Sequence, residues 1–205
     1  MDVSAEKGIT TLDRINQIAF IHLLEKGYEG TNLRKISDEI GIKAASLYFY
    51  YKSKKDMFIA IYASILEGQL TLMREIIDLN KDLSYQEQLF LIFRSGIKSC
   101  INNCVIHKFI MRYRVFAPSE VVTEAREIYK SYQTEEFELL SPLMQQCISQ
   151  SVSYTDRDLD FLYHNFRQLQ DNVIYEMILS GLVIKDEAIQ LQFENFLKCR
   201  LIKIE

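Results

Sequence analysis

An all-α fold in two parts is what this sequence predicts, and three observations carry the prediction. Only two prolines and seven glycines interrupt 205 residues, too few for the turns of an all-β protein. Apolar residues recur at helical spacing along most of the chain. One stretch, Thr31 to Phe58, is punctuated differently, as two short helices and a lysine-rich step into a long one.

From Thr10 to Lys26, the positions Ile15, Ile18, Ala19, His22 and Leu23 share one helical face, and Gly27 ends the segment. His22 reads as a packed core histidine, and Tyr28 as packing back on the bundle. Residues 1–8 are polar and read as frayed. Thr31 is a suitable N-cap for a helix whose apolar face is Leu33, Ile36 and Ile40. Gly41 stops that helix in the left-handed conformation, and Ile42 tucks inward. A second short helix then covers about Lys43 to Tyr50, with Leu47 inward and Tyr51 closing the turn. Helix, glycine turn, helix at this spacing is a helix-turn-helix pattern.

The outer surface left to the second helix is Lys43, Ala44, Ala45, Ser46, Tyr48 and Phe49. Small residues allow close approach to base edges, Ser46 can donate or accept, and apolar groups can meet thymine methyls. Lys52, Lys54 and Lys55 add charge suited to phosphate contacts, which fix register without reading sequence. The whole chain is acidic, at −4. Yet Thr31 to Phe58 holds six basic against three acidic residues, while residues 59 onward hold fifteen against twenty. A basic patch on an acidic body suits a reader of DNA.

Beyond Ser53 a helix runs through Phe58, Ile61, Ile65, Leu66 and Leu72 to about Leu79. Asn80-Lys81-Asp82 marks a loop, and Ser84 caps a helix to about Asn102. Val105 to Phe116 forms a further segment. Pro118 is placed to open a helix reaching about Ser149, kinked or divided at Pro142. Ser151 to Tyr154 reads as a turn, Thr155 caps a helix ending at Gly181, and Asp186 opens the last helix, to about Ile202. The two final helices carry Leu159, Leu162, Phe166, Leu169, Val173, Met177, Ile189, Phe193, Phe196 and Leu197, suited either to one core or to a second subunit.

The residues Gly27-Tyr28, Thr31, Ile36, Gly41-Ile42, Ser46-Leu47-Tyr48 and Tyr51-Lys52-Ser53-Lys54 resemble the N-terminal signature of the tetracycline-repressor (TetR) family. The resemblance is dense over roughly residues 10–58. It departs at Lys43, where the family often has serine or threonine, and at Phe49, where it has histidine or tyrosine. Those departures bear on the operator sequence. The resemblance implies a three-helix DNA-binding domain over residues 1–52 and a helical ligand-binding and dimerisation domain over 53–205. The DNA-contacting candidates are Thr31, Arg34, Lys43, Ala44, Ala45, Ser46, Tyr48, Phe49, Tyr50, Lys52 and Lys54. It also implies a homodimer through the last two helices, reading a pseudo-palindromic operator, and a long helix from Ser53 that transmits effector binding to the DNA heads.

In this family the middle helices enclose a largely apolar pocket. The effector-site candidates are Phe90, Phe93, Phe109, Tyr113, Phe116, Tyr129 and Phe137, with His164, Gln168 and Asn172 as polar groups. Tyr163 and Arg167 share that penultimate helix, and Met111 and Met144 the apolar population. Arg112 and Arg114 suit either the surface or an anionic effector. Cys100, Cys104 and His107 occupy one helical face, and read as packing, as soft metal ligands or as a redox sensor.

No phosphate loop, nucleophile elbow or convincing carboxylate pair points to an enzyme, and no cofactor is expected. No apolar run reaches membrane-spanning length, MDVSAEKGITT does not read as a signal peptide, and four cysteines without close pairing fit a reducing cytoplasm. The expected function is ligand-responsive regulation, most simply a repressor released by a small, largely apolar effector. A metal or redox sensor, or a helical interaction protein that no longer reads an operator, are the alternatives.

Overall fold

The computed structural model describes residues 10–102, 104–147 and 155–199, and every regular element among them is a helix. In chain order these are α1 (Thr11–Glu25), the single turn α2 (Gly27–Gly30), α3 (Leu33–Ile40), α4 (Ala44–Tyr50), α5 (Lys54–Leu79), α6 (Tyr85–Asn102), α7 (Val105–Val115), α8 (Val122–Cys147), α9 (Asp156–Ser180) and α10 (Asp186–Cys199). The chain forms two compact units: residues up to Ile65 with Arg112–Glu127, and Leu66–Met111 with residues from Ile128 onward.

Aromatic packing accounts for the joining of Arg112–Glu127 to the first unit. Phe58, fully buried, lies edge-on to Tyr28 at 5.5 Å and to Tyr113 at 4.7 Å, and stacks on Tyr62 at 5.7 Å. The last turn of α1 leaves carbonyls without intrahelical donors. The Tyr113 hydroxyl donates to Leu23 O at 2.8 Å, and Arg112 donates to Leu24 O at 3.0 Å. At its other end α1 carries a capping box between Thr10 and Asp13. Ile15, Ala19, His22 and Leu23 are buried as the periodicity predicts.

In the second unit the core is built from Leu89, Ile92, Phe93 and Ile97 of α6, Leu140 and Met144 of α8, Phe166, Val173 and Ile174 of α9, and Ile189 and Phe193 of α10. The apolar faces of the last two helices thus share one core with α6 and α8. At the start of α9 the Asp158 carboxylate accepts from the Thr155 amide at 2.8 Å and hydroxyl at 2.7 Å, and Gly181 closes the helix with φ 71°. Asp186, at the start of α10, accepts from Arg94 at 2.6 Å and also pairs with Lys98.

Two expectations are corrected. Pro118 does not open α8; it sits in a turn, its carbonyl accepting from Val121 N at 3.0 Å, and the helix starts at Val122. Pro142 does not divide α8, which continues to Cys147. The expected ends near Ser149 and Ile202, the turn at 151–154 and the frayed segment 1–8 lie outside the described residues.

Burial pushes the Tyr113 hydroxyl up to about 12. An unfolded phenol titrates near 10, so the stability that Tyr113 contributes is complete below about pH 10 and lost as pH rises through about 12. Urea unfolding followed across that window is expected to show wild-type stability falling more steeply than that of Tyr113→Phe.

Candidate nucleic-acid interface

Asn32, not Thr31, caps α3: its side-chain oxygen accepts from Arg34 N at 2.9 Å and Lys35 N at 3.3 Å. Thr31 is 4% exposed and turns its hydroxyl inward to donate to Gly27 O at 2.7 Å. Both residues are good caps by type and both have extended backbone, but Asn32 stands immediately before α3 while the Thr31 hydroxyl is engaged by Gly27 O. Gly41 then adopts φ 78°, ψ 32°, and Ile42 N donates back to Ser37 O at 3.0 Å. This left-handed stop turns the chain sharply into α4.

Of the seven residues of α4 only Leu47 is buried, at 0% exposure. Lys43 stands exposed at the N-cap without a side-chain cap bond, since an ammonium has no acceptor to offer the free amides. Ala45, Ser46, Tyr48, Phe49 and Tyr50 face solvent, whereas Ala44 is half-buried. Tyr51 donates its hydroxyl to Asn16 Oδ1 at 2.6 Å, which ties the end of α4 to α1.

Between the start of α3 and the lysine step lies an open cleft of about 620 Å³, lined by Asn32, Arg34, Tyr48, Lys52, Ser53 and Lys54, with Thr31 and Leu33. Lys54 is half-buried over the Tyr28 ring, 4.2 Å from its centroid, and lies 3.9 Å from Glu29. Lys55 is drawn away into an ion pair with Glu124 at 2.5 Å, which holds the Glu124 carboxyl below the usual carboxylate range. Lys52 and Arg34 remain exposed. Guanidinium and ammonium groups beside a helix start are chemistry for a phosphate oxygen. The structure therefore gathers Thr31, Arg34, Tyr48, Lys52 and Lys54 around one cleft, next to the α4 face that carries Lys43, Ala45, Ser46, Phe49 and Tyr50.

Residues 19–61 match the family described as bacterial regulatory proteins, tetR family. Over that N-terminal stretch the chain is similar to the tetR family. It is 36% identical over 75 residues to the HTH-type transcriptional regulator YezE of Bacillus subtilis, covering 37% of this chain and 38% of that protein. It is 44% identical over 46 residues to IcaR of Staphylococcus epidermidis, the negative transcriptional regulator of the biofilm operon icaADBC, covering 22% and 25%. These relatives are thus matched over well under half of their length. In fold, the chain resembles the transcriptional regulator FadR of Bacillus subtilis, solved in complex with stearoyl-CoA, with a TM-score of 0.67 at 17% identity over 95% of this chain and 100% of that one.

The effector-site candidates are divided between the two units. Phe93 and Phe109 are fully buried, and Phe93 packs 5.6 Å from both Phe166 and Phe193. Phe90, Tyr129 and Phe137 are half-buried in the same unit. Tyr113 and Phe116 belong to the first unit, where Tyr113 braces α1 and Phe116 is 74% exposed. His164, Gln168 and Asn172 are exposed on one face of α9, together with Phe161 and Leu179. Helical spacing explains this, because Leu162, Phe166, Val173 and Met177 claim the opposite face for the core.

The inward polar groups are different ones. Glu136 of α8 is fully buried and accepts from Tyr132 and Tyr163, each at 2.8 Å, and from Arg167 Nε at 3.1 Å. Arg167 also donates to Gln170, whose amide donates to Phe93 O at 2.9 Å. A Cβ on Gly96 would lie 2.5 Å from that amide nitrogen, so glycine is required for the approach. Burial first, then Glu136, pushes the Tyr163 phenol far up, and both hydroxyls stay protonated as donors. Glu136 was legible only as a lone acid on the α8 stripe Tyr132, Leu140, Leu143.

Cys100 and His107 do not share a helix, since α6 ends at Asn102 and α7 begins at Val105. Cys100 and Cys104 pack against the core, and His107 Nε2 lies 2.7 Å from Ser99 Oγ. Burial, aided by Arg167, holds the His107 imidazole below its usual range. Among the described residues no group of three or more histidine, cysteine or acidic side chains is placed to hold a metal ion.

Removing the Glu136 carboxylate strands Arg167 and two phenols. Glu136→Ala is expected to cost about 3–5 kcal/mol in urea unfolding, with Glu136→Gln, which can still accept, costing less.

Proposed function

We propose that this chain is a ligand-responsive DNA-binding transcriptional regulator of the tetR family, a repressor that leaves its operator when a small, largely apolar effector binds. The observation that carries the reading is the cationic cleft of Arg34, Lys52 and Lys54 beside the outward face of α4. With a phosphate held in the cleft, α4 is presented to the major groove, its small residues and Ser46 closest to the base edges. Lys43, Ala44, Thr31 and Tyr50 complete the proposed contact set, with Thr31 acting through its position rather than its inward hydroxyl.

A single head of this size makes few contacts, so we propose a homodimer on a pseudo-palindromic operator. The exposed apolar side chains Phe161, Leu179 and Leu191 of α9 and α10 support pairing through the last two helices. His164, Gln168 and Asn172 then belong to that pairing face rather than to an effector site. Among the described residues no single helix is long and apolar enough to cross a membrane, in keeping with action in the cytoplasm.

An effector that binds one arrangement of the dimer better than another shifts the balance by its difference in affinity. The phenylalanine-rich second unit favours an apolar group, and the acyl chain of FadR's stearoyl-CoA is an example of such chemistry. The inward polar groups Glu136, Arg167, Tyr132 and Tyr163 are engaged with one another.

Fluorescence anisotropy against DNA from the gene's own upstream region, across a salt series, tests this. Selective binding that weakens steeply with salt is expected, and binding no tighter than to random duplex contradicts it. Lys52→Ala is expected to weaken binding to all duplexes alike and to lower the salt slope by about 1.

A further inference from the structure

Phe49 is 86% exposed, more than any other large hydrophobic side chain among the described residues. Its ring stands edge-on to Tyr50, with centroids 5.5 Å apart and planes at 88°, so a neighbour braces it while its outer face stays bare. It sits at the centre of the surface that the regulator reading turns toward DNA. The ring has no atom that can donate or accept a hydrogen bond.

The rest of α4 is equally unusual as a reading surface. Its seven residues, AASLYFY, include no arginine, lysine, asparagine or glutamine. Bidentate reading of guanine requires arginine or lysine, and that of adenine requires asparagine or glutamine. Neither is available from within the helix: Lys43 stands just before it at the N-cap, at the opposite end from Phe49, and Lys52 and Lys54 line the phosphate cleft. In the major groove one base-pair feature is apolar, the 5-methyl group of thymine.

We infer that Phe49 selects its base pair by the 5-methyl group of thymine, once in each half-site, and not by a hydrogen-bonding edge. This deepens the regulator reading and rests on it. A residue that reads only a methyl group responds to the methyl whatever base carries it. Uracil to thymine and cytosine to 5-methylcytosine each add that one group at the same place in the groove, so at the Phe49 position both changes strengthen binding alike. Burying one such group in each half-site corresponds to about fourfold per half-site, or about fifteenfold for a symmetric site.

The test takes sites selected from a random duplex library by the wild-type protein. Affinities are then measured with each symmetric pair of positions carrying thymine, uracil, cytosine or 5-methylcytosine, for wild type, Phe49→Ala and Phe49→Leu. Phe49 is on the surface, and unchanged circular dichroism and melting establish that the variants fold. The expected result is one symmetric position where both methyl additions tighten wild-type binding by about fifteenfold, an increment lost in Phe49→Ala and largely kept in Phe49→Leu. Wild-type affinity indifferent to methyl groups everywhere overturns the inference while leaving the regulator reading intact. A methyl increment that survives in Phe49→Ala overturns the assignment to Phe49. No binding to any duplex at low salt overturns the regulator reading, and the inference with it.

Discussion

Leu47 is the side chain on which the proposed DNA-reading surface depends. A helix as short as α4 has no stability of its own in water, because nucleation is unfavourable and few hydrogen bonds follow it. One fully buried leucine, the Ile42–Ser37 backbone bond behind Gly41, and the Tyr51–Asn16 hydrogen bond hold it in place. Because so little of α4 is spent on the core, nearly all its other side chains are left for solvent or for a partner. The same economy makes the head sensitive to its surroundings. Its stability comes from α1, α3 and the buried Tyr28, Phe58, Tyr62 and Tyr113 rather than from α4 itself.

Phosphate chemistry and base chemistry are kept apart on this surface. Arg34, Lys52 and Lys54 gather at the cleft, while the outward face of α4 is neutral, small and aromatic. Lys55, which reads in the sequence as another phosphate contact, is held instead by Glu124. A locally basic patch on a chain of net negative charge favours polyanion binding at that patch.

Much of the head was legible in the sequence because its signals are local. Gly41 has only one sensible conformation at the end of α3, and Leu47 is the one strongly apolar residue of α4 that faces inward. Where two local signals competed, at Thr31 and Asn32, residue type alone did not separate them; the Thr31 hydroxyl bonds back to Gly27 O, four residues earlier, and Asn32 is left to cap α3. The second unit was legible as helices but not as a site. Aromatic content does not distinguish Phe93 in a core from Phe116 in solvent, and Tyr113 is captured by α1 through contacts 90 residues apart in sequence. His164, Gln168 and Asn172 follow from periodicity once the apolar face of α9 is drawn, since they lie opposite it. Glu136 and Arg167 come from different helices, and no spacing rule links them. Family likeness follows the same divide: sequence identity is concentrated in the head, whereas full-length similarity survives at the level of fold.

The central claim is that the cleft beside α4 seats a DNA phosphate while α4 lies in the adjoining major groove, twice per operator. Phosphate-ethylation interference on a selected duplex tests it most directly. The account predicts two symmetric clusters of essential phosphates flanking major-groove faces about one helical turn apart, each weakened when Lys52 is replaced. Interference spread evenly along the duplex, or clusters indifferent to Lys52 and Arg34, would contradict it.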